Sequence, residues 1–145
     1  LLNLDAPLPS AGRRRGYERA LREAGIAVDP ALVAQGPADA ASGFELATAM
    51  LRRVDPPDAL FCGTDRMAMG AFDAAREAGM RIPDDIRVVG YDDQEIVAAY
   101  LRPALTTVAL PFEEMGAAAV EALNGDMDTF AGAVLRGTLV ERSSA

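Results

Sequence analysis

Arg87-Val88-Val89-Gly90-Tyr91-Asp92-Asp93, followed a little later by Pro103-Ala104-Leu105-Thr106-Thr107-Val108, is the stretch that decides the fold. A short apolar run ends in a glycine and then two adjacent carboxylates. A buried parallel strand delivers acids in this way to the carboxyl edge of an open α/β sheet, the edge at which such sheets bind ligands. Pro103 then breaks the chain, and a threonine-bearing β segment runs over residues 105–109.

Working outward, the hydrophobic period alternates between strand and helix. Leu1-Leu2-Asn3-Leu4 is a short strand cut off by Pro7 and Pro9. Ser10 is the expected N-cap of a helix reaching Glu23, with Tyr17, Ala20 and Leu21 on one face and Gly25 as its stop. A short strand follows near residues 32–34. Asp39 or Ser42 opens a second helix through Phe44, Leu46, Ala47, Met50 and Leu51, which Pro56-Pro57 ends. Residues 58–62 form a buried strand. Thr64 or Asp65 caps a third helix, whose apolar face is Met67, Ala68, Ala71, Phe72 and Ala75 and whose stop is Gly79. The strand at 86–91 leads to a short helix over 94–100 and a strand over 106–109. After Pro111, residues 112–123 form an amphipathic helix with Met115, Ala118, Ala119 and Leu123 as its stripe and Gly125 as its stop. A polar turn at 126–129 and a last strand at 133–140 complete the pattern. Repeated β-α-β units predict an α/β fold, a parallel sheet with helices on both faces and right-handed crossovers.

Composition narrows the chemistry. The 145 residues are half apolar, which is enough for one domain with a core. No apolar run is long enough to span a membrane, and the first residues do not form a signal peptide. The single cysteine, Cys62, excludes an internal disulfide and sits in an apolar run, so a buried inert thiol is expected. There is no histidine, which removes the usual general base, the Ser-His-Asp triad and most zinc sites. All fourteen basic residues are arginine, so lysine-dependent phosphate and Schiff-base chemistry is also absent. A formal charge of −8 argues against nucleic-acid binding by this chain itself, and the Arg13-Arg14-Arg15 cluster is too small to change that.

Blocks of sequence in a particular order carry a family resemblance. Ser10-x-x-Arg13-x-x-Gly16-Tyr17 is similar to a helix-opening motif whose arginine reaches a ligand. Pro57-Asp58-Ala59-Leu60-Phe61-Cys62-Gly63-Thr64-Asp65-Arg66-Met67-Ala68-Met69-Gly70-Ala71, then Glu77-Ala78-Gly79-Met80-Arg81-Ile82-Pro83-Asp84-Asp85-Ile86, lead into the Gly-Tyr-Asp-Asp segment. Leu105-Thr106-Thr107-Val108 with Met115-Gly116, and the ending Leu139-Val140-Glu141-Arg142-Ser143-Ser144, follow in order. Over residues 1–143 this resembles the effector-binding domain of the lactose/galactose repressor (LacI/GalR-type) family, bacterial transcription regulators built on a periplasmic-binding-protein-like fold.

The resemblance implies an organisation. Family members carry a helix-turn-helix headpiece, a hinge helix and a first α/β lobe ahead of the part seen here. Residues 1–109 are then the flavodoxin-like C-terminal lobe, with the N-terminal lobe mostly absent. Residues 110–132 hold a crossover and a helix that packs on that lobe, and residues 133–145 are a returning strand and tail. The implied function is non-enzymatic: a cytoplasmic sensor that binds a sugar or related polar metabolite. It uses no cofactor, couples binding to operator affinity in a homodimer, and contacts DNA only through the headpiece. A periplasmic sugar-binding protein of a transporter is the alternative, but such proteins carry signal peptides and many lysines. A flavodoxin-like enzyme using Asp92 and Asp93 on a metal is an alternative of another class, opposed by the lack of histidine, lysine or a second acidic cluster.

Four residues are the expected ligand-binding set. Asp92, at the end of its strand, can accept charge-assisted hydrogen bonds from ligand donors, or serve only as a cap or turn acid. Arg13, in the first turn of its helix, can fork onto hydroxyls or a carboxylate, or be a solvated surface arginine. Thr64 contacts the ligand or is a plain N-cap. Phe112 walls the pocket or packs between lobes. Asp93 and Asp65 are expected to cap or fix turns, and Arg14 and Arg15 to lie on the surface. Many sugar-responsive members present an aromatic near the position of Ala38. Alanine cannot stack, which turns the expectation away from a standard pyranose or moves the stacking to the missing lobe.

Overall fold

Parallel pairing dominates the sheet of this computed structural model, which describes residues 1–4, 7–125 and 134–145. The elements are β1 (Leu2–Leu4), α1 (Pro7–Glu23), a 3-10 turn (Pro30–Leu32), β2 (Ala34–Gly36), α2 (Ala40–Leu51), β3 (Ala59–Phe61), α3 (Asp65–Glu77), β4 (Arg87–Val89), α4 (Glu95–Ala98), β5 (Thr107–Ala109), α5 (Phe112–Asn124) and β6 (Thr138–Val140). β1 pairs with β2 and β3 with β4, both parallel, while β6 pairs antiparallel with β5. Parallel bridges Leu2 to Cys62, Val89 to Thr106 and Asp92 to Ala109 join the pairs in the order β2-β1-β3-β4-β5-β6. That is the doubly wound order of flavodoxin-like sheets, with its switch point between β1 and β3. Right-handed crossovers to opposite sides of β1 put α1 on one face and the α2–α3 pair on the other.

The core is built by the strands and the buried stripe of α3. Leu2, Leu60, Cys62, Met67, Ala71, Phe72, Ile86, Val88 and Leu105 are among its enclosed members. Such side chains contribute about 1.5–3 kcal/mol each when fully buried. α2 and α3 meet backbone to backbone. A Cβ at Gly70 would overlap the Ala40 carbonyl oxygen and the Phe44 nitrogen, so only glycine fits there. Cys62 is buried and reduced, as its apolar run implied. Burial pushes its thiol up to about 12, which removes it as a nucleophile at neutral pH.

Three boundaries differ from the sequence expectation. α1 begins at Pro7, so Ser10 is not its N-cap but a buried residue inside it, and its carbonyl accepts from Asn3 Nδ2 at 3.1 Å. Prolines in a first helical turn give up N–H groups that have no intrahelical acceptor anyway, so they start this helix instead of holding the chain open. Arg13 therefore lies in the second turn, not the first. The strand expected at 32–34 is displaced because Asp29 accepts from Ala31 N at 2.8 Å and winds Pro30–Leu32 into a 3-10 turn, which leaves Ala34–Gly36 as β2. The last strand is antiparallel and shorter than expected. The turn expected at 126–129 and the expected strand start at Ala133 lie outside the described residues.

Candidate functional site at the carboxyl edge of the sheet

Two helices and one loop bring the site together. β4 ends at Val89, and the chain continues alongside β5: Gly90 N donates to Thr106 O and Asp92 N to Val108 O, both at 2.9 Å. This places Tyr91 and Asp92 beyond the carboxyl end of β4. Asp92 and Asp93 then take φ values of 117° and 50°. Positive φ is uncommon for a residue with a Cβ and stores on the order of 1–3 kcal/mol of strain, which persists only where the surroundings over-determine it.

Arg13 reaches this loop from α1. Its guanidinium lies 4.1 Å above the centroid of the Tyr91 ring, a cation–π contact. Its Nη2 is 3.4 Å from Asp92 Oδ1, and both side chains are mostly buried, 13% and 16% exposed. The pair is a long one, and Arg13 Nε is enclosed with no hydrogen-bond partner. A buried donor without an acceptor is costly, by about 1–3 kcal/mol, so this guanidinium retains unspent hydrogen-bonding capacity. Asp92 has the complementary property. Burial pushes its carboxyl above the usual range, while Arg13, a hydrogen bond from Gln94 Nε2 at 3.4 Å, and Arg66 pull it down. The result is a donor fork over an aromatic face with an acceptor beside it, a set suited to a polar ligand carrying hydroxyl or N–H groups. Among the described residues no cluster of metal-ligating side chains exists.

Of the expected residues, the structure brings Arg13 and Asp92 together. Thr64 is the N-cap of α3; it is buried, and its hydroxyl oxygen accepts from Met67 N at 3.2 Å. Phe112 opens α5 and is exposed, as are Met115, Val120 and Leu123 on the same helix. Arg14 is a surface residue paired with Glu18 at 2.8 Å. Asp93 is more than a turn residue, since it pairs with Arg142 Nη2 at 2.8 Å. Asp65 does not cap its own helix; it accepts from Gln94 N and from the Thr107 hydroxyl. Tyr91, Gln94 and Arg142 were not anticipated. Tyr91 had a signal, an aromatic directly before the edge carboxylate. Arg142 had none, because its partner is far away in sequence.

Comparison with known proteins fits this geometry. The family model for the periplasmic binding protein-like domain matches residues 4–145. The HTH-type transcriptional repressor PurR of Proteus mirabilis is 47% identical over 105 residues, which is 72% of this chain and 30% of that protein. The chain spans about a third of the length of the curated relatives it matches. A sugar-binding transcriptional regulator of the LacI family from Escherichia coli, solved with phosphate, superposes with a TM-score of 0.82 at 33% identity, over 99% of this chain and 54% of that one. The lac repressor dimer bound to operator and the anti-inducer ONPF gives 0.83 at 30% identity, over 99% and 44%. These relatives are transcription regulators, not enzymes. The chain belongs to the periplasmic binding protein-like family, in the form that family takes in LacI/GalR-type transcription regulators.

Proposed function

We propose that this chain senses a small polar effector at the carboxyl edge of its sheet, and that in the whole regulator this binding changes operator affinity. The observation that carries the reading is the Arg13–Asp92 pair: largely buried, loosely joined at 3.4 Å, with Arg13 Nε unsatisfied. A ligand that supplies an acceptor to the arginine and donors to Asp92 gains more there than at a closed ion pair. A sugar or a related polar metabolite has the required groups. Thr64 and Phe112 stand near the ends of elements that border the same edge, and each is a secondary candidate for ligand contact.

Residues 1–109 form the sensing lobe in this reading, and α5 rests on a second lobe outside this chain. Its lack of any buried residue supports that view. The working assembly is a homodimer in the cytoplasm that meets DNA through a separate headpiece. The effector acts only through its differential affinity for the two states of that dimer.

The test is a panel of sugars and related polar metabolites screened by thermal shift against the full-length regulator, followed by calorimetry on the best binder. Asp92→Asn and Arg13→Ala are each expected to weaken binding at least about tenfold, equivalent to ~1.4 kcal/mol. Unchanged affinity in both variants removes the pair from the site.

A further inference from the structure

The Asp65 carboxylate is a buried acid that ligand binding, as described, does not use. It sits at the first residue of α3 and is completely enclosed. Its helix has no need of it as a cap, since Thr64 fills that role. Instead it faces the loop that carries Asp92. Oδ2 accepts from Gln94 N at 2.7 Å, and Oδ1 accepts from the Thr107 hydroxyl at 2.6 Å. The backbone N–H of the same residue donates to Tyr91 O at 2.9 Å.

One residue therefore grips the chain on both sides of Asp92 and Asp93. The two residues between those grips are the ones at positive φ. A loop in that conformation needs outside contacts to hold it, and Asp65 supplies two of them, at either end of the pair, beside the Asp92 N–Val108 O bond and the Asp93–Arg142 pair. Gly90 adds a steric fit: a Cβ at that position would overlap Asp65 Oδ1 and come within 2.8 Å of Leu105 Cδ2. On the far side, β5 supplies Thr107, so the carboxylate ties α3, the loop and β5 at one point.

We propose that Asp65 is a positioning residue: it holds the 91–94 turn in the left-handed conformation that aims Asp92 at Arg13, and so sets the affinity of the ligand site without touching the ligand. The proposal rests on the reading of Arg13 and Asp92 as the ligand pair. It differs from a purely structural role in predicting a local change at Asp92, separable from global stability.

Nuclear magnetic resonance of this chain gives two local signals. One is the strong intraresidue contact between the amide and Hα protons of Asp92 that a positive φ produces. The other is the upfield displacement of the Arg13 side-chain protons by the Tyr91 ring. Asp65→Leu is expected to lose both. Asp65→Asn, which still offers an acceptor to Gln94 and a donor to Thr107, is expected to keep both. Thr64→Ala removes the cap of the same helix; it is expected to lower the melting temperature and leave both signals in place. Should Asp65→Leu not fold, Thr107→Val carries the test, with partial loss of both signals expected. A folded Asp65→Leu or Thr107→Val with both signals intact overturns the proposal, and so does Thr64→Ala if it erases them equally. In calorimetry with the best-binding compound of the panel, Asp65→Leu, or Thr107→Val in its place, should weaken binding at least tenfold. Signal loss with unchanged affinity overturns the role in binding. Unchanged affinity in Asp92→Asn and Arg13→Ala overturns the site reading itself and leaves the loop result standing.

Discussion

Gly90→Ala is expected to be among the most damaging single-methyl additions near the site. Glycine is not needed at this position for backbone freedom, because its φ lies outside the positive region. On chain entropy alone an alanine would stabilise slightly, by about 0.4–1 kcal/mol. Space decides the sign instead. The added Cβ meets Asp65 Oδ1 and lies 2.8 Å from Leu105 Cδ2, and both side chains are fully buried. Overpacking of that kind costs about 1–3 kcal/mol. Moving the carboxylate also breaks its 2.6 Å hydrogen bond from Thr107, and a bond to a charged group is worth about 1.5–3 kcal/mol. Set against the entropic gain, these costs leave a net loss of about 1.5–5.5 kcal/mol, a large part of the ~5–15 kcal/mol that holds a domain together. For a chain of this size it lowers the melting temperature by roughly 3–22 °C. Urea and thermal unfolding followed by circular dichroism measure it. Asp65→Ser shrinks the obstructing side chain, so the double variant should lose less than the sum of the two single variants. A Gly90→Ala variant within about 0.5 kcal/mol of the parent, an ordinary surface-substitution effect, would refute the steric argument.

Cys62 makes the fold sensitive to alkali. Its thiol is held protonated to about 12 in the fold but ionises near 9 when unfolded, so stability is intact below pH 9 and falls as pH rises from there toward 12. The loss approaches ~1.4 kcal/mol per pH unit, and denaturant titrations at pH 8 to 11 should show a shallower loss in Cys62→Ala; equal slopes would contradict it. The α5 stripe of Phe112, Met115, Val120 and Leu123 is exposed in this chain, and covering it is worth about 1.5–3 kcal/mol for each large side chain. Light scattering over a concentration series is expected to show self-association, with Met115→Glu restoring the monomer; a monomer throughout would mean the stripe finds cover within its own chain.

Local signals were legible in the sequence, and distant ones were not. α2 and α3 each had two candidate caps in the sequence, Asp39 or Ser42 and Thr64 or Asp65; Asp39 and Thr64 are the ones that accept the backbone N–H expected of a cap. Gly25 and Gly79 were read as stops, and both adopt the positive φ that ends a helix. The edge acid Asp92 was legible as a candidate because β-α-β rhythm fixes which strand ends share an edge, and Arg13 because its motif resembles a helix opening whose arginine reaches a ligand. The start of α1 was misjudged because proline can both break a strand and begin a helix. Asp65 was taken for a turn residue because its hydrogen-bond partners, Gln94 and Thr107, lie 29 and 42 residues away. The tail shows the same limit. Ser144 is buried, donating to Val88 O at 2.6 Å and accepting from Thr106 N at 2.8 Å. Nothing local in a terminal serine signals that it completes the sheet.

Operator binding by the full-length regulator, followed by fluorescence anisotropy with and without effector, tests the central claim most directly. The parent and Asp92→Asn should bind operator equally in the absence of effector, since Asp92 sits at the carboxyl edge of the sheet. Adding effector should change the operator affinity of the parent by about 5–150-fold, the usual range of allosteric coupling, and leave Asp92→Asn unchanged. An Asp92→Asn protein that responds to effector as fully as the parent would contradict the account.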